Sequence, residues 1–468
     1  MEHPSLRQRH QAEGQPTLSS NSNESTPTAP PRELLSSLED TYPPFIAPDV
    51  TIKELLSVIP RECFERSVVR SSLYVLQDVV LMLSLAYLAT YIDPSFGQDG
   101  AVVDGRAGIA CKWAAWVAYW TFQGWVMTGL WVLGHECGHQ AFSTSKTINN
   151  AVGLVIHSFL LVPYHSWRIS HARHHAATGH MDRDQVFVPR TLDERSRNWV
   201  ENPRSKGKNA VGDKGRSIEL DELLEDAPLY RLVTLIGQQF FGWPLYLIMN
   251  ASGQTSYPAW TNHFSPNSII FDARHRYAIV LSDLALLVTV VAFYLVSHRF
   301  DPEEGRASFI KFYFVPYLVV NNFLVAITFL QHTDSRLAHY RGDAWTFARG
   351  ALSTIDREFI WSSFVGKRLL HGICETHVAH HDFLDRKARE RQEQEQEDGV
   401  QVVEYYVSTN ENFVKSLWKS YQECRFVDRE GDIVMYKDAK GRQRRRVVQD
   451  GRKPELAATR DYSGIEGI

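Results

Sequence analysis

The chain has 468 residues, with 50 basic and 54 acidic side chains, a formal net charge of -4 and a slightly negative mean hydropathy. That balance leaves no global basic surface for nucleic acid. Its five cysteines (Cys63, Cys111, Cys137, Cys374 and Cys424) are scattered and form no C-x-x-C pair, which argues against a disulfide framework and a thiolate zinc site and fits a reducing, cytosol-facing environment.

Residues 1–45 are rich in Ser, Pro, Gln and Glu and lack the apolar core of a signal peptide, so they read as a disordered cytosolic tail. Thr51-Ile52-Lys53-Glu54-Leu55-Leu56 predicts a short amphipathic helix. Ser72 to Ile92 is the first apolar run near the ~20 residues that span a bilayer. Asp78 lies inside it, and a charge there is expected to face another helix or the interface. Trp113 to Leu133, Tyr277 to Val296 and Phe309 to Leu330 are the other three expected spans. Ala151 to Tyr164 is too short to cross, and Leu229 to Met249 is interrupted by Gln238, Gln239 and Pro244; both read as interfacial or re-entrant.

Four spans and a cytosolic N-terminus put residues 134–276 and everything after 331 on the cytosolic side. Arg61, Arg66 and Arg70, and then Arg274 and Arg276, agree with positive-inside orientation. The glycosylation patterns at Asn23 and Asn250 fall on that side and are expected to go unused. Residues 386–398 read as a solvated charged run, and Arg442, Arg444, Arg445 and Arg446 as part of a basic tail.

The chemistry lies in three short boxes: His135-Glu136-Cys137-Gly138-His139, His171-Ala172-Arg173-His174-His175 and His377-Val378-Ala379-His380-His381. They hold eight of the nineteen histidines. Helical residues at i and i+3 or i+4 share a face, so each box can aim two or three imidazoles at one point. That many imidazoles exceeds the needs of one four-coordinate zinc and suits two metal ions. A metal transporter would place its ligands within the spans near the midplane; here the boxes lie outside them.

Around these boxes the sequence resembles the membrane-bound fatty acid desaturases, of the fungal acyl-lipid delta-12 type. The likeness is carried by His135 to Phe142, Pro163-Tyr164-His165-Ser166-Trp167-Arg168, Thr178-Gly179-His180-Met181, Asp184 to Pro189, Gly242-Trp243-Pro244-Leu245-Tyr246-Leu247, Leu330-Gln331-His332-Thr333 and Thr376. It covers roughly residues 42–381 and 412–436. The resemblance implies an all-α membrane protein, with four transmembrane helices and a cytosolic helical cap carrying a di-iron site. Its implied ligands are His135, His139, His171, His174, His175, His377, His380 and His381, with His332 as a ninth. It further implies O2 as co-substrate, electrons from cytochrome b5 and its NADH-dependent reductase, a phospholipid-linked oleoyl substrate converted to linoleoyl, and the endoplasmic reticulum membrane. No G-x-G-x-x-G or His-Pro-Gly-Gly segment supplies an internal reductase or haem domain.

Glu136, Asp184, Asp356 and Glu375 are candidate acceptors behind the ligands. His157 and His165 read as core or interfacial residues, and His180, His263, His339 and His371 as non-ligands. The expected segments are a tail to 45, a desaturase domain over 46–381, a divergent charged insert over 382–410 and a cytosolic segment over 411–468. After His381 the chain departs from the family pattern with Asp382-Phe383-Leu384-Asp385, and the pattern resumes at Asn412-Phe413. An omega-3 or bifunctional desaturase, a fatty acid hydroxylase and an inactive lipid-sensing relative are the alternative readings.

Overall fold

The computed structural model describes residues 42–57, 65–96, 102–191, 227–299, 302–358, 363–381 and 405–448. The expected tail to residue 41, Asn23 and the charged run 386–398 lie outside them. Helix α1 (Ile52–Ser57) precedes α2 (Val68–Ala89), which opens on Ser67, whose hydroxyl accepts the Arg70 N–H. Helix α3 (Gly105–Gly138) runs for 34 residues, about 51 Å at the α-helical rise. Helices α4 (Lys146–Phe159) and α5 (Tyr164–His175) form a pair bent by 108°. Helix α6 (Pro228–Met249) starts with proline at its first position and stops at Asn250 in the left-handed conformation. Helix α7 (Arg276–Ser297) is followed by α8 (Val315–His332), then by the short α9 (His377–His381) and by α10 (Phe413–Glu423).

The molecule is mostly helical but not all-α as expected. Among the described residues, three small two-stranded sheets stitch the chain after residue 405 to earlier segments. Strand β1 (Pro44–Phe45) pairs with β6 (Arg446–Val447), β2 (Ala338–Tyr340) with β5 (Ile433–Met435), and β3 (Asp356–Arg357) with β4 (Ser408–Thr409). Arg442 and Arg444 are bound to Asp438 and Glu423, so this basic cluster belongs to the folded segment instead of a loose tail. Strands of two or three residues leave no alternating pattern long enough to read in the sequence.

Among the described residues, four stretches are long and apolar enough to cross a membrane: Val68–Ser95, Pro228–Met249, Ala273–Ser297 and Glu303–His332; the bent α4–α5 pair would make a fifth. The expected span over Trp113–Leu133 is not among them, and α6, expected as interfacial, is. Contacts distinguish the two. Near its start α3 meets Asp93, through Lys112 at 2.8 Å and Trp116 Nε1 at 3.1 Å, and Asp93 also binds Lys311 at 2.7 Å. Its other end carries His135. Helix α3 therefore runs the full distance between the two ends of the bundle, and its tryptophans, glycines and tyrosine lower its mean hydropathy. Both ends of α6, in contrast, bond to one layer. Thr234 accepts from Tyr421 of α10 at 2.8 Å, while beyond the other end Ser252 O accepts the Val188 N–H at 3.1 Å. Val427, soon after α10, donates to Arg190 O at 2.9 Å, placing these partners side by side.

Helix α8 is entered through a π-helical turn, Ile310–Phe314, and Pro316 comes next but one. The wider turn and the missing proline N–H leave carbonyls without helical donors. Helix α3 supplies them: Trp120 Nε1 donates to Lys311 O at 2.9 Å and the Tyr119 hydroxyl to Phe312 O at 3.0 Å. The core below the histidines joins Met127, Leu130 and Trp131 of α3 with Leu160, Trp167, Trp243, Val320 and Leu324. Close approach in this core depends on Gly134, where an added Cβ would strike the His157 ring. Gly237, on α6, has nothing within 4 Å of that position. Gly134→Ala is therefore expected to lower stability by about 1–3 kcal/mol through overpacking, while Gly237→Ala is neutral or slightly stabilising. Melting of the detergent-solubilised variants checks the contrast.

Candidate metal centre

The first two boxes and His332 sit at the C-terminal ends of helices, while the third box makes up the whole of α9. His135 lies in the last turn of α3 with His139 just beyond it, and His174 and His175 lie in the last turn of α5 with His171 one turn before His175. His332 ends α8, and His377, His380 and His381 lie on α9. Unpaired carbonyls give a helix C-terminus partial negative charge, which favours cations. Convergent C-termini thus set the sign of the field before any side chain is considered.

The structure brings all nine expected residues together, in two sets. His135, His139, His171, His175 and His380 form a group whose ligand atoms lie within 4.8 Å of one another. Within it, the His171 Nε2 is 2.8 Å from that of His135, 3.1 Å from that of His139 and 3.1 Å from that of His175. His174, His332 and His381 form the second group. His377 joins it, with Nε2 3.0 Å from both His332 Nε2 and His381 Nε2. Two nitrogens bound at ~2.1 Å to one ion lie roughly 3.0–3.4 Å apart at octahedral or tetrahedral angles. The observed spacing fits that edge length.

Protonation makes the fit sharper. The His174 Nδ1 lies 2.9 Å and 3.0 Å from the two Asp184 oxygens, so it is the N–H donor and Nε2 carries the lone pair. Thr178 donates its hydroxyl to His174 O at 2.7 Å, which leaves its oxygen to accept from His381 Nδ1 at 3.1 Å. Glu136 Oε1 lies 3.1 Å from His135 Nδ1 and 3.6 Å from His380 Nδ1, linking the first and third boxes. With Nδ1–H fixed on these acceptors, bare Nε2 lone pairs point at one another, an arrangement that a cation relieves. Burial, reinforced by neighbouring imidazoles, holds His171, His175, His377, His380 and His381 well below the ordinary imidazole pKa and brings His139 to about 4. Neutral imidazole is the form that binds a metal.

Of the four candidate acceptors, Asp184 and Glu136 meet ligand imidazoles directly. Asp184 also accepts the Val186 and Phe187 N–H groups, at 2.9 Å and 3.2 Å. Asp356 instead holds α9 by its backbone, accepting the Val378 N–H at 2.8 Å, and takes the Tyr406 hydroxyl at 2.6 Å. Glu375 is buried beside Gly366.

The remaining expected non-ligands fall outside both groups. His157 is buried, with Nε2 3.3 Å from Trp131 O, and His165 gives its backbone N–H to Ser282. His180 accepts the Asp182 N–H, His263 bonds Ser170, His339 packs on Tyr436, and His371 meets Asp78. Sequence reasoning missed three rings that wall the site. Trp131 stacks on His135 and Trp167 on His171, with centroids 5.4 Å and 4.5 Å apart, and Phe187 stacks on His332 at 5.2 Å. Both tryptophans precede their histidine by four residues on a helix, so the i,i+4 rule was the available signal. Asn250, the second glycosylation pattern, is buried at the α6 C-terminus.

With this geometry in view, comparison with known proteins decides the family. The fatty acid desaturase family profile matches residues 112–411. The chain belongs to the fatty acid desaturase family. It is therefore an oxidoreductase of a family that typically uses iron. It is 45% identical over 412 residues to a delta(12) fatty acid desaturase of Mortierella isabellina, covering 88% of this chain and 96% of that protein. It is 46% identical over 390 residues to that of Mortierella alpina, covering 83% and 91%. An oleate hydroxylase of Claviceps purpurea is 37% identical over 424 residues, covering 86% and 82%.

Asp184→Asn removes the carboxylate behind His174 and is expected to weaken metal binding about 10–100-fold, as read by chelator competition. In the metal-free desaturase, His139 stays neutral until about pH 4, whereas in the unfolded chain it protonates near the ordinary 6.5. Stability is then highest above about pH 6.5 and declines as pH falls toward 4. A melting series across that window checks the sign.

Proposed function

We propose that this desaturase introduces a cis double bond at the delta-12 position of an oleoyl chain carried by a phospholipid, giving linoleoyl. The observation that carries the regiochemistry is the 45–46% identity to two delta(12) desaturases over nearly their whole length. The nine convergent imidazoles support the reaction class. One iron would be held by His135, His139, His171, His175 and His380, and the other by His174, His332, His377 and His381. Five imidazoles around one point exceed a tetrahedral zinc site, and imidazole is a good iron ligand. When bound, the two irons supply the oxidising power that O2 and two electrons make available for removing hydrogen from an unactivated methylene pair. The balance is one –CH2–CH2– unit, O2, two electrons and two protons giving –CH=CH– and two waters.

The chain's own part is to orient and to exclude. Asp184, Glu136 and Thr178 hold the imidazole tautomers. Trp131, Trp167 and Phe187 close the apolar sides of the histidine cluster, so water is kept from the reacting carbons. Electrons come from outside, from cytochrome b5 and its NADH-dependent reductase. The α2, α3, α7 and α8 helices span the endoplasmic reticulum membrane, and α6 lies along its cytosolic face, since both its ends bond to one layer. All nine histidines then share the cytosolic side.

Expression in a host that makes oleate as its only unsaturated fatty acid tests the reading. Linoleate is the expected product; ricinoleate would point to the hydroxylase that the Claviceps relative exemplifies, linolenate to a bifunctional enzyme, and no product to an inactive relative. Purified protein is expected to carry about two irons per chain. His135→Ala, His174→Ala and His380→Ala are each expected to abolish turnover while the chain still inserts in the membrane. Product formation retained in all three would remove the site assignment.

A further inference from the structure

Asp78 is the costliest residue in the first apolar stretch. It is 1% exposed, sits three turns into α2, and would be strongly destabilising at membrane depth without a partner. Its partner comes from the other end of the sequence: Asp78 Oδ2 lies 2.7 Å from His371 Nε2. Tyr74, one turn earlier, sets its ring edge-on to the same imidazole at 5.4 Å. Gln77 Nε2 reaches Arg368 O at 3.5 Å. On the other side, α3 comes so close at Gly129 that a Cβ would strike Leu369 O. The 368–371 strip is thus gripped between the first two long helices.

The strip leads straight into the third box. His371 and Gly372 both take the left-handed conformation, φ 53° and 80°, and for histidine that conformation is uncommon. The turn they make is continuous with α9. Gly372 O accepts the Thr376 N–H at 3.1 Å and the Thr376 hydroxyl at 2.9 Å, and Thr376 O accepts the His380 N–H at 2.9 Å. Helix α9 has five residues, far too few to hold a helix by itself. Its position has to be imposed from outside: Gln331 Nε2 donates to Ile373 O at 2.6 Å and the Arg357 N–H to Cys374 O at 2.9 Å, and His371, just before them, is the point at which α2 takes hold of the strip.

We propose that the Asp78–His371 contact is a clamp through which α2 positions the third histidine box. This gives a role in the site to a helix that lies outside the matched family segment, 112–411. Asp78 and His371 are positioning residues, since neither meets a ligand nitrogen. The inference rests on the histidine cluster's being a metal centre.

The test uses the full chain in membranes, with iron per chain and linoleate formed as separate readouts. Asp78→Asn and His371→Leu are expected to lower linoleate more than about tenfold and metal affinity about 10–100-fold. Their iron is expected to fall from about two to about one per chain, because His135, His139, His171 and His175 remain in place. Loss of both irons would mark general unfolding and count against a clamp. His371→Gln, which keeps a donor for Asp78, is expected to retain most iron. The exchanged pair, Asp78→His with His371→Asp, is expected to restore what either single replacement loses. Should Asp78→Asn fail to accumulate, the exchanged pair decides: recovery supports the clamp and no recovery overturns it. An Asp78→Asn chain with unaltered iron and linoleate overturns the clamp alone. A wild-type chain that binds no iron overturns the metal centre and the clamp together, and a product other than linoleate overturns only the regiochemistry.

Discussion

Nine imidazole rings crowd into a space where their Nε2 atoms stand about 3 Å apart, and their Nδ1 protons are already committed on the outer side wherever Asp184, Glu136 and Thr178 stand behind them. Such a cluster cannot satisfy itself by hydrogen bonds, because too few protons point inward. Protonation is no remedy either: neighbouring imidazolium charges would repel, which is part of why these groups stay neutral. Metal cations would resolve the conflict, and the C-termini of α3, α5 and α8, which meet at the same place, favour positive charge there. Much of the surrounding architecture can be read as what is needed to hold these rings at that distance.

Holding them requires that long helices end in register. His135 and His332 terminate helices whose opposite ends are joined through Asp93 and Lys311. A rotation of α8 by one residue would turn His332 about 100° away from its neighbours. The π turn at Ile310–Phe314 sets that register, and it persists because Tyr119 and Trp120 take up the carbonyls it exposes. Polar side chains of α3 thus fix, from far down the bundle, the direction in which His332 of α8 points. This is the usual economy of a membrane interior, where every freed backbone group must find a partner within the protein.

The histidine boxes were legible in the sequence because a helix repeats nearly every four residues, and the spacings His135/His139, His171/His175 and His377/His381 put each pair on one face. His332 was not legible from spacing; only the resemblance singled it out, since a lone histidine at a helix end has no periodic partner. Asp78 was legible as an anomaly but its partner was not, because 293 residues separate it from His371. Helix α3 was found by its apolar run although its tryptophans and glycines weaken the signal, and they are what let it pack on both sides. The sheets joining 44–45, 338–340 and 356–357 to the C-terminal segment left no trace, for strands this short carry pairing but no pattern.

The departure from the family pattern after His381 is the place where the sequence raises a question about activity, and the packing around α9 bears on it. Asp356 holds the α9 backbone at Val378 with one oxygen and the Tyr406 hydroxyl with the other. Val378 itself packs with Leu352, Ala348, Tyr405 and Tyr406. Ser408 and Thr409 then pair beside Asp356 and Arg357, and Phe413 enters the core with Phe323, Leu330, Leu370 and Cys374. The chain therefore leaves the third box at His381 and is back against the same box by Tyr405. Whatever the charged stretch between them does, the groups that hold His377, His380 and His381 in place come from segments on either side of it. A divergent insert bounded by two anchored ends adds closure entropy that grows only slowly with length, so the altered segment is compatible with an intact histidine cluster.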